Sequence, residues 1–121
     1  MACSVAGIRR AGIPGGDTVV VLGAGVLGLS AAGAAKALGA GKVIMTAKYD
    51  SQAELAERFG VDVVIRTSDE NLLQRINEET GGLGADIVVE TVGGAAPTMD
   101  QAMEIVRPAG KIVVLGLWDE L

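Results

Sequence analysis

The sequence contains no histidine and only one cysteine among its 121 residues. Without histidine, the chain alone cannot assemble a His/Cys zinc site, a Ser-His-Asp triad or a Cys-His pair, which excludes several large enzyme classes from it. A single cysteine also excludes an intrachain disulfide. One Trp, one Tyr and one Phe are the only aromatic residues. The composition is that of a reduced, intracellular domain, and we expect a cytoplasmic protein.

Positive charge and long apolar runs are also scarce. Ten Lys and Arg stand against 15 Asp and Glu, giving a net charge of −5 and a pI near 4.6. Such a surface does not neutralise phosphate backbones, so nucleic acid is not an expected partner. The uncharged stretch Val19–Ala35 contains four glycines and falls short of the roughly 20 strongly apolar residues that a membrane span needs. No export signal or membrane contact is expected.

Half of the residues are hydrophobic, so the chain is expected to fold as one domain despite its 18 glycines. Five runs rich in Val and Ile alternate with segments of helical periodicity, and the runs start 19 to 25 residues apart. This spacing is too long for hairpins and fits a strand, a helix and two loops. The predicted strands are Thr18–Leu22, Lys42–Thr46, Val61–Ile65, Asp86–Glu90 and Lys111–Leu115, and the predicted helices are Val26–Leu38, Ser51–Phe59, Asn71–Thr80 and Thr98–Val106.

Near-continuous apolar strands that alternate with helices predict a parallel sheet covered on both faces. The helix Val26–Leu38 has small apolar residues all around it and is predicted to be buried on more than one side. The last helix is predicted to bury one apolar face, formed by Met99, Ala102, Met103 and Val106. With right-handed crossovers, the expected fold is α/β of the Rossmann type: a doubly wound parallel sheet of about five strands in three layers, α-β-α.

The first predicted strand runs directly into Gly23-Ala24-Gly25-Val26-Leu27-Gly28 and then into the Ala-rich helix. This is the G-x-G-x-x-G spacing in the strand-turn-helix context of a dinucleotide-binding fingerprint. Gly23 permits a tight turn, Gly25 lets the backbone approach a pyrophosphate, and Gly28 lets the helix lie close to the sheet. The amides near Val26 and Leu27, at the helix N-terminus, are predicted to bind the phosphate oxygens.

Two other interpretations of the glycine turn remain open. A turn of this kind can serve packing alone, although the strand, the helix and the repeated units around it make that the weaker interpretation. A methyltransferase with a nucleoside sulfonium cofactor has a similar turn, usually with an acidic residue just before the glycines. Val21 and Leu22 stand there in this sequence, which disfavours a methyltransferase.

The end of the second strand indicates which dinucleotide is preferred. An acidic side chain there accepts hydrogen bonds from the adenosine ribose hydroxyls and repels a 2′-phosphate. The residue at the expected offset is Ala47, and Lys48 follows it. A missing carboxylate beside a cation favours NADP over NAD, because one charge-assisted contact contributes roughly 1.5 to 3 kcal/mol. The alternative is that Lys48 is solvated and that Asp50 bonds the ribose.

Six further stretches carry a resemblance to a known family. They are Arg10-Ala11-Gly12, Gly16-Asp17-Thr18-Val19, Val21-Leu22-Gly23-Ala24-Gly25, Ala56-Glu57-Arg58-Phe59-Gly60, Gly84-Ala85-Asp86 and Arg107-Pro108-Ala109-Gly110-Lys111. In this order and spacing, the chain resembles the cofactor domain of medium-chain, zinc-type alcohol dehydrogenases and their quinone reductase relatives. The similarity extends over residues 4–118, and its order is more specific than any single stretch.

The resemblance implies a site that surrounds a nicotinamide dinucleotide in three places. Thr46, Ala47 and Lys48 are implied to border the adenosine ribose, Arg66 and Thr67 to lie near the adenine, and Val92, Gly93, Leu115, Gly116 and Leu117 to lie near the nicotinamide. No catalytic residue and no metal ligand is assigned in this chain. Cys3, which precedes the first strand, is interpreted as a helix residue rather than a zinc ligand.

The resemblance also implies a longer parent protein. Residues 1–121 are expected to be one dinucleotide-binding domain, a fragment that lacks both the family's catalytic domain and its sixth strand, so that the edge of the fifth strand invites homo-oligomers. The implied function is hydride transfer between NAD(P) and an alcohol or carbonyl substrate, with the fragment alone inactive. The alternatives are a non-catalytic nicotinamide-nucleotide sensor or scaffold, and a zinc-free parent similar to the quinone reductases.

Overall fold

The computed structural model describes residues 17–67, 71–92 and 98–115. Within these ranges, five strands form a single parallel sheet in the order β3-β2-β1-β4-β5. The elements are β1 (Thr18–Leu22), α1 (Val26–Ala37), β2 (Lys42–Ala47), α2 (Asp50–Arg58), β3 (Val63–Arg66), α3 (Leu72–Thr80), β4 (Ala85–Glu90), α4 (Thr98–Ile105) and β5 (Val106–Val114). The doubly wound α/β fold predicted from the sequence is confirmed.

The core lies on both faces of the sheet, because successive strand residues point in opposite directions. Val19 and Val21 of β1 pack into a cluster with α1 and α2, whereas Val20 and Leu22 pack into a second cluster with α3 and α4. All four side chains are fully buried. This double coverage explains why the strands are apolar at nearly every position instead of alternating with polar residues.

Among the helices of the described ranges, α1 is the most deeply buried, as its small side chains predict. Its buried residues lie on more than one side of the helix and are Gly28, Leu29, Ser30, Ala31, Ala32, Ala34 and Ala35. Small side chains let the helix axis approach the sheet closely. The first turn of α1 is thereby held against the carboxyl end of β1.

The junction between α4 and β5 differs from the prediction. The helix ends at Ile105, and β5 follows at once from Val106, whereas the sequence predicts a loop through Pro108 before a strand at Lys111. Between the pairs Ala85↔Val106 and Ile87↔Lys111, β5 contains more residues than β4, so this segment bulges, with Ala109 at a φ of 63°. Proline is compatible with an edge strand that bulges.

The apolar face predicted for α4 is partly wrong. Ala102 and Ile105 are buried, but Met103 is 66% exposed. The described part of this helix has eight residues, so one narrow stripe of side chains reaches the sheet and Met103 lies beside that stripe. Contact with the sheet, rather than apolar character alone, decides which side chains of a short helix are buried.

Two aspartates hold the amino edge of the sheet. Asp86 accepts hydrogen bonds from the Thr18 backbone N–H at 2.8 Å and from Arg107 Nε at 2.6 Å. Asp62 accepts from the Val43 backbone N–H at 2.7 Å and pairs with Lys36 Nζ at 2.7 Å. Each carboxylate therefore ties the start of one strand to a cation from another element.

The ionised form of Asp62 is favoured in the folded protein. Burial alone raises the pKa of the carboxyl, but the hydrogen bonds from Lys36 and Val43 and the nearby charge of Lys42 outweigh it, so the pKa lies below its ordinary value of 3.8. Stability from this group is present above the unfolded-state pKa and is lost as the pH falls through the folded-state pKa.

We predict that Asp62→Asn lowers the free energy of unfolding at pH 7 by no more than about 1 kcal/mol, because the pair with Lys36 is partly exposed. The difference from the unsubstituted chain shrinks as the pH is lowered from 4 towards 2. Urea unfolding followed by circular dichroism across this range measures it, with the exposed Glu57→Gln as the control. If the difference in the free energy of unfolding does not change with pH, the lowered pKa assigned to Asp62 is wrong.

Candidate dinucleotide-binding site

The glycine turn lies at the point where the winding of the sheet reverses. The chain proceeds from β1 outward to β2 and β3, then returns to place β4 on the other side of β1. In open parallel sheets, ligands bind outside the carboxyl ends of the strands at this switch point. Residues 23–25 connect the carboxyl end of β1 to α1 and therefore occupy the position where a crevice is expected.

Gly23 and Gly28 are required by close contacts within the turn. Gly23 has a φ of +110°, and a Cβ on it would lie 2.6 Å from the hydroxyl of Thr91. A Cβ on Gly28 would lie 2.0 Å from the carbonyl oxygen of Gly23. The first turn of α1 thus touches the backbone of the strand-to-helix connection, which no side chain at residue 28 would permit.

Gly25 faces open space. It is the N-cap of α1, with ordinary backbone angles and no side-chain cap, and a Cβ on it would meet nothing within 4 Å. No acidic residue lies in the first turn of the helix, and Val26 is 83% exposed. The positive end of the helix dipole at Val26 and Leu27 is therefore accessible at the switch point, an arrangement that suits an anion.

The carboxyl ends of β2 and β3 lie side by side at the same edge of the sheet. Ala47 pairs with Arg66 in the strand register, and its methyl group is buried in the cluster with α1 and α2. Lys48 is exposed, with Nζ 5.6 Å from the centre of the Tyr49 ring. The Arg66 guanidinium donates to the carboxylate of Asp50 and to the Lys48 carbonyl oxygen, the latter at 3.1 Å. Two cations therefore flank the end of β2.

A small cleft of about 100 Å³ lies between the carboxyl ends of β2 and β3 and helices α3 and α4. It is lined by Thr46, Ile65, Thr67, Leu72 and Gln101. Thr46 and Thr67 belong to the predicted site, whereas Ile65, Leu72 and Gln101 were missed by the sequence reasoning. Ile65 could have been found by extending the carboxyl-end rule to β3. Nothing in the local sequence marks Gln101 or Leu72, because their positions depend on how α3 and α4 pack.

The opposite side of the switch point is formed by the ends of β4 and β5. Val92 is half-exposed, and its N–H donates to the carboxylate of Glu90 at 2.6 Å. The Leu115 N–H donates to the backbone oxygen of Glu90 at 2.8 Å, so Glu90, which is fully buried, connects the two predicted site residues. Sequence reasoning missed Glu90. Gly93, Gly116 and Leu117, also predicted for this side, lie outside the described residues.

The structure brings the predicted site residues that it describes to one edge of the sheet. Gly23, Gly25 and Gly28 lie centrally, Thr46, Ala47, Lys48, Arg66 and Thr67 lie on one side, and Val92 and Leu115 lie on the other. In the described ranges no group of three or more His, Cys, Asp or Glu side chains could hold a metal ion. Within those ranges, too, no helix combines the length and apolar character that crossing a bilayer requires.

A parallel sheet in the order 3-2-1-4-5, with a glycine turn after its central strand, defines a Rossmann-type dinucleotide-binding domain. A family model described as zinc-binding dehydrogenase matches residues 26–121. A Mycobacterium tuberculosis protein named as an alcohol dehydrogenase is 42% identical over 104 residues, which cover 84% of this chain and 28% of that protein. The chain belongs to the zinc-type medium-chain alcohol dehydrogenase family and is its NAD(P)-binding part.

Solved structures agree with this membership. The alcohol dehydrogenase TADH from Thermus sp. ATN1 is 37% identical and superposes with a TM-score of 0.88, over 95% of this chain and 34% of that one. A candidate zinc-binding dehydrogenase from Sinorhizobium meliloti 1021, solved with NADP bound, is 31% identical with a TM-score of 0.89, over 97% of this chain and 34% of that one. The chain thus spans about a third of the length of these proteins.

We predict that Gly28→Ala destabilises the domain by about 1 to 3 kcal/mol, because the new methyl group collides with the Gly23 carbonyl oxygen and the backbone must shift. Gly33→Ala, in the same helix but with no atom within 4 Å of the added Cβ, raises stability by about 0.5 to 1 kcal/mol. Urea unfolding compares both variants with the unsubstituted chain. Equal stability of the chain and its Gly28→Ala variant contradicts the close approach.

Proposed function

We propose that residues 1–121 form one domain that binds NADP in preference to NAD, within a longer oxidoreductase that transfers hydride between the nicotinamide and an alcohol or carbonyl substrate. The observation that carries the proposal is the open N-terminus of α1 at the switch point, where Gly23 and Gly28 cannot be replaced without collision and Gly25 faces open space. Membership in the zinc-type dehydrogenase family supports the reaction class.

The pyrophosphate site of this proposal consists of backbone groups. Gly25 has no side chain between its backbone and solvent, and the helix N-terminus at Val26 and Leu27 supplies N–H groups and a partial positive charge. Gly23 and Gly28 hold these groups in place through their mutual contact. The residues present therefore fit a dinucleotide, because the helix N-terminus can bind phosphate oxygens and the backbone at Gly25 is open to their approach.

The preference for NADP rests on the charges beside the ribose position. Ala47 offers no carboxylate to the ribose hydroxyls, and Lys48 and Arg66 place two cations near the end of β2. Asp50 is exposed and is paired with Arg66, so a 2′-phosphate can replace it as the partner of the guanidinium. The Sinorhizobium relative with bound NADP agrees with this assignment. The cleft beside Thr46 and Thr67 suits the adenine ring.

The nicotinamide side is assigned to Val92, Gly93, Leu115 and Gly116. When bound, the nicotinamide supplies the hydride chemistry, and these residues orient one of its faces. We assign no catalytic residue to this chain and propose that substrate and proton-transfer groups come from a catalytic domain elsewhere in the parent. The described residues do not fit a zinc site, so we derive no role for zinc in this chain.

The edge of the sheet, the composition and the net charge indicate how the parent protein associates and where it is located. Because β5 lies at the edge of the described sheet, we propose that the parent self-associates through this edge, in a cytoplasmic setting, without nucleic acid or membrane as a partner. The reduced composition and the acidic net charge of −5 support the setting.

We predict that the chain binds NADPH about tenfold more tightly than NADH in isothermal titration calorimetry, because only NADPH has a 2′-phosphate that can pair with Lys48 and Arg66. Arg66→Gln and Lys48→Gln weaken NADPH binding and leave NADH binding within about twofold. Arg58→Gln, at the C-terminus of α2 and therefore far from the carboxyl ends of the strands, is the matched control. Tighter binding of NADH overturns the assigned preference.

Asp50 separates the two assignments of the ribose site. If Arg66 serves the 2′-phosphate, Asp50→Asn removes a competing partner and strengthens NADPH binding by about two- to fivefold. If Asp50 instead accepts the ribose hydroxyls, the same substitution weakens NADH binding. Calorimetric titration of both cofactors into this one variant distinguishes the results.

A substitution at Gly25 tests the pyrophosphate site. Gly25→Val leaves the thermal unfolding midpoint within about 2 °C, because space is open and the backbone angles are ordinary at this residue. It weakens NADPH binding at least tenfold, because the side chain occupies the place of a phosphate. Binding of 2′-AMP, which has no pyrophosphate, serves as the control and is unchanged. Unaltered NADPH affinity in Gly25→Val is the result that contradicts the site.

A further inference from the structure

One peptide group joins β1 to the glycine turn, and threonine hydroxyls hold both of its polar atoms. The carbonyl oxygen of Leu22 accepts a hydrogen bond from the Thr91 hydroxyl at 2.7 Å, in addition to one from the Thr91 N–H at 3.2 Å. The N–H of Gly23 donates to the hydroxyl oxygen of Thr46 at 2.9 Å. Thr46 is the next-to-last residue of β2 on one side of this peptide, and Thr91 follows β4 on the other.

The hydroxyls of Thr46 and Thr91 bind the chain at the point where the strand pairing of β1 ends. Leu22 is the last residue of β1 and pairs with Glu90 in the register, and Val21 pairs with Met45. Beyond Leu22 the chain leaves the sheet at Gly23 with a positive φ, so the next backbone groups no longer match a neighbouring strand. The orientation of the Leu22–Gly23 peptide, which determines the direction of the turn, then depends on the backbone N–H of Thr91 and on the hydroxyls of Thr46 and Thr91.

Thr91 also packs against the two glycines that the turn requires. Its hydroxyl oxygen lies where a Cβ on Gly23 would collide, and it is 3.3 Å from the Cβ position of Gly28. The same side chain therefore bonds the peptide and fills the space beside the first turn of α1. Thr46 lines the small cleft at the adenine side, so its single hydroxyl borders both the turn and that cleft.

We propose that Thr46 and Thr91 form a clamp on the Leu22–Gly23 peptide that positions the phosphate-binding turn. The clamp rests on the proposed dinucleotide function and gives it two positioning residues that do not themselves need to touch the pyrophosphate. Each neutral hydrogen bond of this type has a modest net free energy, but the direction of the turn depends on both. Losing either hydroxyl displaces the amides of α1 from the phosphates.

The test compares isosteric and conservative substitutions by calorimetric titration with NADPH. Thr91→Val and Thr46→Val keep the side-chain volume, remove the hydroxyl, and are each expected to weaken NADPH binding roughly five- to tenfold. Thr91→Ser and Thr46→Ser keep the hydroxyl and are expected to bind within about twofold of the unsubstituted chain. Thr91→Val is expected to leave 2′-AMP binding unchanged, because that ligand does not reach the turn.

Thr80 supplies a matched control outside the site. Its hydroxyl makes the same pair of bonds, donating to the Ile76 carbonyl oxygen at 2.7 Å and accepting from the Gly84 N–H at 3.0 Å. It lies where α3 ends, ahead of β4, and so at the opposite edge of the sheet from the turn. Thr80→Val is expected to lower thermal stability and to leave NADPH affinity unchanged, which separates general loss of stability from loss of positioning.

A measurement on the unsubstituted chain tests the clamp without any variant. The Gly23 amide is expected to exchange with deuterium as slowly as the neighbouring amides of β1, because the Thr46 hydroxyl holds it. Exchange as fast as in a free turn overturns the clamp, as does NADPH binding by Thr46→Val and Thr91→Val at the affinity of the unsubstituted chain. If that chain binds neither NADPH nor NADH, the proposed dinucleotide function fails, while slow exchange at Gly23 still supports the clamp as structure.

Discussion

The site depends on the contact between Gly28 and the Gly23 carbonyl oxygen, which leaves no room for even one added carbon atom. This contact sets how closely α1 approaches β1, and so where the positive end of the helix lies relative to the switch point. The alanines of α1 extend the same close approach along the sheet. The packing of α1 on the sheet and the proposed binding of phosphate at its N-terminus therefore both require this close contact.

Much of the fold could be predicted because its signals are local. Apolar strands that alternate with helices were sufficient to predict the order of the elements, and the glycine spacing was sufficient to predict the position of the turn. The bulge in β5, the exposure of Met103 and the approach of Gln101 to the cleft could not be predicted in this way. Each depends on which surface of a neighbouring element is already covered, and a single sequence does not contain that information.

The residues of the site, too, could be predicted only where the signal is local. Gly23 and Gly28 could be recognised from the sequence because only glycine tolerates the positive φ of the first and the close contacts of both. The residue types of Glu90 and Thr91 do not identify them as site residues. A threonine after an apolar strand is common, and the role of Thr91 is visible only from its hydrogen bond to the Leu22 carbonyl oxygen. Arg66 was identified as a site residue, but its pairing with Asp50 across the end of β2 required the strand register.

The two edges of the sheet have separate tasks. Asp62 and Asp86 bind cations and strand N–H groups at the amino edge, whereas the glycine turn, Thr46 and Thr91 lie at the carboxyl edge. Substitutions that adapt such a domain to heat or acidity can therefore accumulate at one edge without altering nucleotide recognition at the other. In an evolving lineage, thermal tolerance and cofactor choice become independently adjustable properties of the same small domain.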